Sequence, residues 1–109
     1  MRLLISVVFS LSLGLIPAGP AMAQGDAMTG QNLAKDWCAR CHDISADGPF
    51  KQTPPSFASI AVYRAADDIH WRIQFPAEHA NMPRLGYFLD REALDHLVAF
   101  ILSLEKPGD

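Results

Sequence analysis

The chain has 109 residues, of which nine are Lys or Arg and twelve are Asp or Glu, so its formal net charge at pH 7 is −3. This length favours a single domain with one hydrophobic core. The mild acidity and the absence of a basic cluster exclude the composition typical of nucleic-acid-binding proteins.

The first 23 residues have the pattern of a secretory signal peptide. Arg2 precedes a mostly apolar run over residues 3–16, and Ala21-Met22-Ala23 is a small-x-small cleavage site. The run is shorter than the about 20 apolar residues that a membrane span needs. We therefore expect a signal peptide at 1–23, cleaved after Ala23, and a mature domain at 24–109. An uncleaved N-terminal anchor is the alternative.

Export would place the mature domain in the periplasm, with eight basic residues against twelve acidic ones once Arg2 is removed. A domain of this size buries a small core and usually needs an additional stabilising element. Outside the cytoplasm a bare pair of cysteines would oxidise. The two cysteines are therefore expected either to form a disulfide or to be joined covalently to a bound group.

A first helix is predicted to begin after Asp26 or Thr29, either of which can cap it, and to run to about Ala39. It leads into Cys38-Ala39-Arg40-Cys41-His42, the spacing of a covalent haem-attachment site. Each thiol can form a thioether with one haem vinyl group, and His42 can supply an imidazole nitrogen to the iron.

A Cys-x-x-Cys pair can also be a thioredoxin-like redox couple, half of a zinc site, or a structural disulfide. The zinc site would need two more ligands at metal spacing, and the other histidines are spread out. The redox couple would need a βαβ context that the pattern does not indicate. A disulfide would leave His42 without a role.

The rest of the chain predicts further helices separated by loops rich in proline and glycine. Ser56 can cap a helix over 57–64, and Asp67 or Asp68 can cap another over 69–75. The last helix is predicted to follow Asp90, with Leu89 and Leu94 as a hydrophobic staple and Pro107-Gly108 as its end. No alternating run predicts a strand, so the expected fold class is all-α.

The best candidate for a second iron ligand is Met82, in the loop over 76–88. A thioether is a soft, neutral ligand, and His/Met ligation raises the reduction potential. Pro83 restricts the backbone of Met82 to extended conformations. The competitor is His79 in the same loop, whereas Met28 lies too close to the attachment site to reach the opposite face of the haem.

With these features the mature chain resembles the class I c-type cytochromes, and small soluble bacterial monohaem members most of all. In that family a glycine on the N-terminal helix, here Gly30, lies where the C-terminal helix crosses. Leu97 and Phe100 match the residues that pack on that glycine. The basic ring of lysines around the haem edge of mitochondrial members is absent.

The resemblance implies roles for two further residues and supports a third. Pro55 matches the proline whose carbonyl accepts a hydrogen bond from the proximal histidine, here His42. Trp71 is a candidate donor to a haem propionate through its indole N–H. Met82 matches the distal methionine. The implied fold has crossing N- and C-terminal helices, with short helices and loops around one haem c.

The expected function is a periplasmic one-electron carrier that is not itself an enzyme, acts as a monomer, and exchanges electrons with redox partner proteins. Filled axial positions would leave no site for substrate chemistry at the iron. The alternatives are a haem c subunit of a larger periplasmic oxidoreductase, a gas-binding or sensing haem protein with a labile distal ligand, and a haem-free disulfide module. No nucleic acid is expected as a partner, and no stable membrane insertion of the mature chain is expected.

Overall fold

The computed structural model of the protein describes residues 14–16, 25–51, 53–78 and 80–106. It contains four α-helices, α1 (Ala27–Trp37), α2 (Phe57–Tyr63), α3 (Ala66–Gln74) and α4 (Arg91–Ser103), and a 3₁₀ turn at Leu85–Tyr87. These ranges contain no β-strand, so the all-α prediction is confirmed. Most of the predicted signal peptide lies outside the described residues.

Three helices begin at the side-chain caps that the sequence predicts. Asp26 accepts a hydrogen bond from the backbone N–H of Thr29 at 2.8 Å and begins α1. Ser56 begins α2 in the same way, and Asp90 accepts from the N–H of Ala93 at 2.9 Å at the start of α4. Each cap satisfies a backbone donor that the helix itself leaves unpaired.

Helix α3 begins earlier than the sequence predicts. Its N-cap is Ala65, which makes no side-chain cap hydrogen bond, so the prediction of a cap at Asp67 or Asp68 was wrong. Both carboxylates instead lie in the first helical turn, where negative charge interacts favourably with the helix dipole. Asp68 also forms ion pairs with Arg64 at 3.1 Å and with Arg72 at 2.9 Å. These ion pairs support the earlier start of helix α3.

Helices α1 and α4 cross at close range, and glycines make this approach possible. A Cβ atom on Gly30 would overlap the carbonyl oxygen of His96 and lie 2.8 Å from the Cβ of Phe100. A Cβ on Gly25 would overlap the carbonyl oxygen of Asp95. The predicted crossing therefore occurs at Gly30, and the backbone of α4 is its nearest neighbour.

The core lies where α1, α2 and α3 meet the inner face of α4. Leu94, Leu97 and Ile101 of α4 are almost completely buried, at helical spacing. The buried cluster comprises Ala34, Cys38, Phe57, Ala61, Ile69, Ile73, Leu85, Leu89, Leu94, Leu97, Val98, Phe100 and Ile101.

Among the described residues, no helix is both long enough and apolar enough to cross a membrane.

Candidate metal centre

The Cys-x-x-Cys-His motif continues α1 as one further turn. Cys38 is the C-cap of α1, and its N–H donates to the carbonyl oxygen of Ala34 at 2.8 Å. The carbonyl of Cys38 then accepts from the N–H groups of Cys41 at 3.1 Å and His42 at 2.9 Å. This turn holds the two cysteines and the histidine together on one compact segment against the core.

The two cysteine thiols are free, but their surroundings differ. Cys38 is 8% exposed and belongs to the core cluster, whereas Cys41 is exposed to solvent. Burial raises the pKa of the Cys38 thiol to about 11. This shift keeps the Cys38 thiol protonated at neutral pH, so Cys38 lacks the lowered pKa of a nucleophilic redox cysteine.

A zinc site is also disfavoured by the arrangement of the side chains. Within the described ranges, no group of three or more His, Cys, Asp or Glu side chains is placed to hold a metal ion. Structural zinc sites use four such ligands. The Cys-x-x-Cys pair therefore has no second half with which to complete a zinc site in this part of the chain.

The ring of His42 is oriented by the carbonyl oxygen of Pro55, which lies 2.7 Å from its Nδ1. A carbonyl oxygen can only accept, so Nδ1 carries the proton and donates it. The neutral ring then keeps its free lone pair on Nε2, the atom available to bind a metal. This hydrogen bond fixes both the tautomer and the direction of His42.

Phe57 packs on His42 from the start of α2, with the two ring centroids 5.4 Å apart. Its backbone N–H donates to the carbonyl oxygen of Asp43 at 2.9 Å, which ties the loop after the motif to α2. Phe57 also contacts Phe100 of α4, with a centroid separation of 6.2 Å. This role of Phe57 was not predicted from the sequence, and its position two residues after Pro55 is the only signal for it.

Met82 lies between α3 and the 3₁₀ turn, partly buried and packed against the core cluster. The other methionine among the described residues, Met28, is 73% exposed on α1. Of the two described methionines, Met82 is therefore the one whose thioether lies at the edge of the core. The competing ligand candidate, His79, lies outside the described residues.

Trp71 lies on the outer face of α3. Ile69 and Ile73 of the same helix are buried, whereas Trp71 is 61% exposed and its ring lies tilted against that of Phe75, with centroids 4.5 Å apart. Its ring lines a groove between α3 and α4. Its role as a propionate donor stays a prediction.

His96, which is not a predicted ligand, joins α1 to α4. Its Nδ1 accepts a hydrogen bond from the backbone N–H of Asp26 at 2.8 Å. This bond links residues 70 positions apart, so no local pattern in the sequence indicates it. It anchors the beginning of the helix that leads to the Cys-x-x-Cys-His motif.

The donor atoms fit a covalently attached iron porphyrin. Two free thiols lie within one turn, the hydrogen bond to Pro55 leaves Nε2 of His42 free to bind, and a thioether is present at the edge of the core. Thiols suit attachment to vinyl groups, and imidazole and thioether are established haem ligands. No other described set of side chains combines these groups.

Comparison with known proteins gives a consistent result. The model of a family described as cytochrome C oxidase, cbb3-type, subunit III, matches residues 25–101. A cytochrome c2 from Pararhodospirillum photometricum is 48% identical over 33 residues, which are 30% of this chain and 29% of that relative. The matched segment thus spans less than a third of the relative's length. No solved structure matches the chain.

Proposed function

The chain belongs to the c-type cytochrome family described as cytochrome C oxidase, cbb3-type, subunit III, and on that premise we propose that it is a periplasmic one-electron carrier with His42 and Met82 as axial ligands. Membership of this family implies covalently bound haem c, and Cys38 and Cys41 have the spacing that attachment requires. When bound, the haem supplies an iron that gains and loses one electron.

The hydrogen bond between His42 and Pro55 is the observation that carries this proposal. It leaves Nε2 of His42 free to bind and fixes the orientation of the ring. A hydrogen bond of this kind is expected for a histidine whose ring must keep one orientation in order to bind a metal. A disulfide module would not need an oriented histidine.

Met82 determines the expected redox behaviour. Its thioether is neutral and soft, so binding through sulfur favours the reduced state and raises the potential. Its packing against the core supports a fixed position for the loop that carries it. If His42 and Met82 both held the iron, no position would be left for substrate chemistry at the metal, and redox partner proteins would act as electron donor and acceptor.

The domain organisation and location form part of the same proposal. Residues 1–23 act as a signal peptide, are removed after Ala23, and direct the domain over 24–109 to the periplasm as a monomer. The apolar run followed by the small-x-small site supports this assignment.

The name of the family favours a second candidate function, a haem c subunit of a larger oxidase. The same ligands would serve there, and catalysis would reside in another subunit. Purification from the native membrane and soluble fractions separates the two candidates. A free carrier is recovered alone in the soluble fraction, whereas a subunit is recovered with partner chains at fixed stoichiometry.

Visible spectra of the purified protein, oxidised and reduced, test the proposed function. We expect sharp α and β bands on reduction and a weak ferric band near the red end of the spectrum, which arises from the iron–methionine bond. Absence of any haem absorption after expression with the cytochrome c maturation system would contradict the proposal. A haem spectrum without the red band would favour the gas-binding alternative.

A further inference from the structure

Residues 80–89, which we call the methionine segment, contain a compact turn after Met82. The backbone N–H groups of Phe88 and Leu89 both donate to the carbonyl oxygen of Leu85 at 2.9 Å. These hydrogen bonds join near neighbours in the chain. They therefore give the methionine segment a defined shape, but they do not fix its position on the rest of the protein.

The methionine segment has no polar connection to a helix in the part of the chain that the structure describes. Its backbone hydrogen bonds to earlier residues reach only Ala77, whose carbonyl oxygen accepts from the N–H of Ala80 at 2.9 Å. None of the described side-chain hydrogen bonds and ion pairs includes a residue between 80 and 89. The position of the methionine segment therefore depends on the packing of its side chains.

Side chains on two sides of the methionine segment make this packing. Leu85 and Leu89 are buried in the core cluster, and Met82 packs against the same cluster. On the other side, the ring of Phe88 stacks on the ring of Trp37, with centroids 6.0 Å apart and planes at 25°. This separation and angle lie within the range in which aromatic pairs attract each other.

The Trp37–Phe88 pair connects the two parts of the candidate metal centre. Trp37 is the last residue of α1 and immediately precedes Cys38, whereas Phe88 follows Met82 by six positions. Of the ring pairs among the described residues, this is the one that joins α1 to the methionine segment. The contact therefore links the backbone that holds the cysteines to the backbone that carries the thioether.

On the basis of the proposed ligation by His42 and Met82, we infer that Trp37 and Phe88 are positioning residues for Met82. Their ring contact holds the methionine segment against the end of α1 and thereby stabilises the bond between the thioether and the iron. When another ligand replaces Met82, the methionine segment must move, and the ring contact opposes this movement. The pair acts through Met82 and is not itself a ligand.

Competition with imidazole in the ferric holoprotein tests this inference, because imidazole must displace Met82 to bind the iron. We expect Trp37→Leu and Phe88→Leu each to bind imidazole about fivefold more tightly than the unmodified protein, since each loses the stabilisation of one aromatic pair. The double variant should show about the same fivefold change, because the same contact is lost in all three. Loss of the ferric iron–methionine band during the titration measures binding.

The matched control is Phe50→Leu. Phe50 and Tyr63 form a second aromatic pair with the same centroid separation of 6.0 Å, but neither residue belongs to the methionine segment. Phe50→Leu should therefore leave the affinity for imidazole unchanged. The free energy of unfolding is measured on the same variants, because a purely structural Trp37–Phe88 pair would lower it without changing the affinity for imidazole.

The inference is refuted by unchanged imidazole affinity in Trp37→Leu or Phe88→Leu, by multiplied effects in the double variant, or by an equal effect of Phe50→Leu. Absence of the iron–methionine band from the unmodified ferric protein would instead contradict the proposed ligation itself, and this inference with it. A nuclear Overhauser effect between the two rings in the reduced, unmodified holoprotein gives a test that needs no variant to fold. We expect this effect, and its absence would also refute the inference.

Discussion

Gly30 of α1 lies directly against the backbone of His96 in α4, so close that a Cβ atom there would overlap the carbonyl oxygen of His96. The neighbouring atom belongs to the main chain of a helix and has no rotamer with which to move aside. The crossing of α1 and α4 therefore depends on the absence of a side chain at Gly30. The same crossing positions the turn that carries the two cysteines.

Gly30→Ala should destabilise the protein, although alanine favours helix formation. The gain in helix propensity is about 1 kcal/mol, whereas overpacking of this kind costs up to about 3 kcal/mol, so a net loss of about 2 kcal/mol is expected. The free energy of unfolding, measured by guanidinium denaturation of the holoprotein, checks this. Gly86→Ala is the matched control, because the atoms nearest to a Cβ there belong to Gln74 and lie at 3.4 Å or more, which is ordinary contact. An equal effect of both variants would contradict a steric origin of the loss.

The helices were largely predictable because their signals are local. Asp26, Ser56 and Asp90 cap three helices at the expected residues, and the buried side chains of α4 follow the periodicity in the sequence. The start of α3 was predicted incorrectly because Asp67 and Asp68 resemble caps as well as first-turn residues. Composition alone does not distinguish these two positions.

The candidate site was predictable only in part. The motif gave Cys38, Cys41 and His42, and the resemblance gave Pro55, whose carbonyl lies 2.7 Å from Nδ1 of His42. The hydrogen bond between Asp26 and His96 joins distant parts of the chain and leaves no periodic signal. The groove between α3 and α4 that Trp71 lines likewise arises from the packing of two helices, so its lining was not visible in the sequence.

Met82→Ala should retain the covalent haem but lower the reduction potential. Loss of the thioether removes the ligand that favours the reduced state, and axial ligands span roughly 0.8 V of potential. We expect a fall that is a substantial part of this range, together with carbon monoxide binding to the reduced protein. Potentiometric titration and visible spectroscopy measure the two effects.

Met28→Ala is the control for this experiment, because Met28 is 73% exposed on α1. Its potential should equal that of the unmodified protein. If Met82→Ala also retained the original potential and bound no carbon monoxide, Met82 would not be the ligand. His79→Ala would then be the next variant to test.

Cys41→Ala should lower the yield of holoprotein without releasing the haem that is bound. The remaining thioether at Cys38 still holds the pigment in acidified organic solvent, and the pyridine haemochrome band shifts because one vinyl group is left unsaturated. The double variant Cys38→Ala/Cys41→Ala should release all of its pigment to the solvent. Pigment that was extractable from the unmodified protein would contradict covalent attachment.

Cleavage of the signal peptide should give a mature chain that begins at Gln24. The small residues Ala21 and Ala23 meet the requirement of the signal peptidase. N-terminal sequencing and intact mass of the periplasmic protein measure the cleavage site. Ala23→Leu should block processing and reduce release into the periplasm, whereas an N-terminus at Met1 in the unmodified protein would favour the membrane-anchor alternative.

Asp26 should contribute stability that depends on pH in the acid range. Hydrogen bonds from the side chain and backbone of Thr29 lower the pKa of this carboxyl below its usual value of 3.8. A carboxyl with a lowered pKa stabilises the folded state above the unfolded-state pKa. That contribution is lost as the pH falls through the folded-state value. The stabilisation from Asp26 should thus be complete at pH 6 and decline below about pH 4.

The variant Asp26→Asn separates the effect of the charge from the effect of the helix cap, because asparagine accepts the same hydrogen bond without ionising. Asp26→Asn should therefore lose less stability than the unmodified protein between pH 6 and pH 3, while Asp26→Ala should be less stable than Asp26→Asn throughout. Denaturation midpoints measured across this range give the comparison. If the unmodified protein and Asp26→Asn lost stability equally on acidification, the acid sensitivity would arise from other carboxyls, such as Asp68 with its two arginine partners.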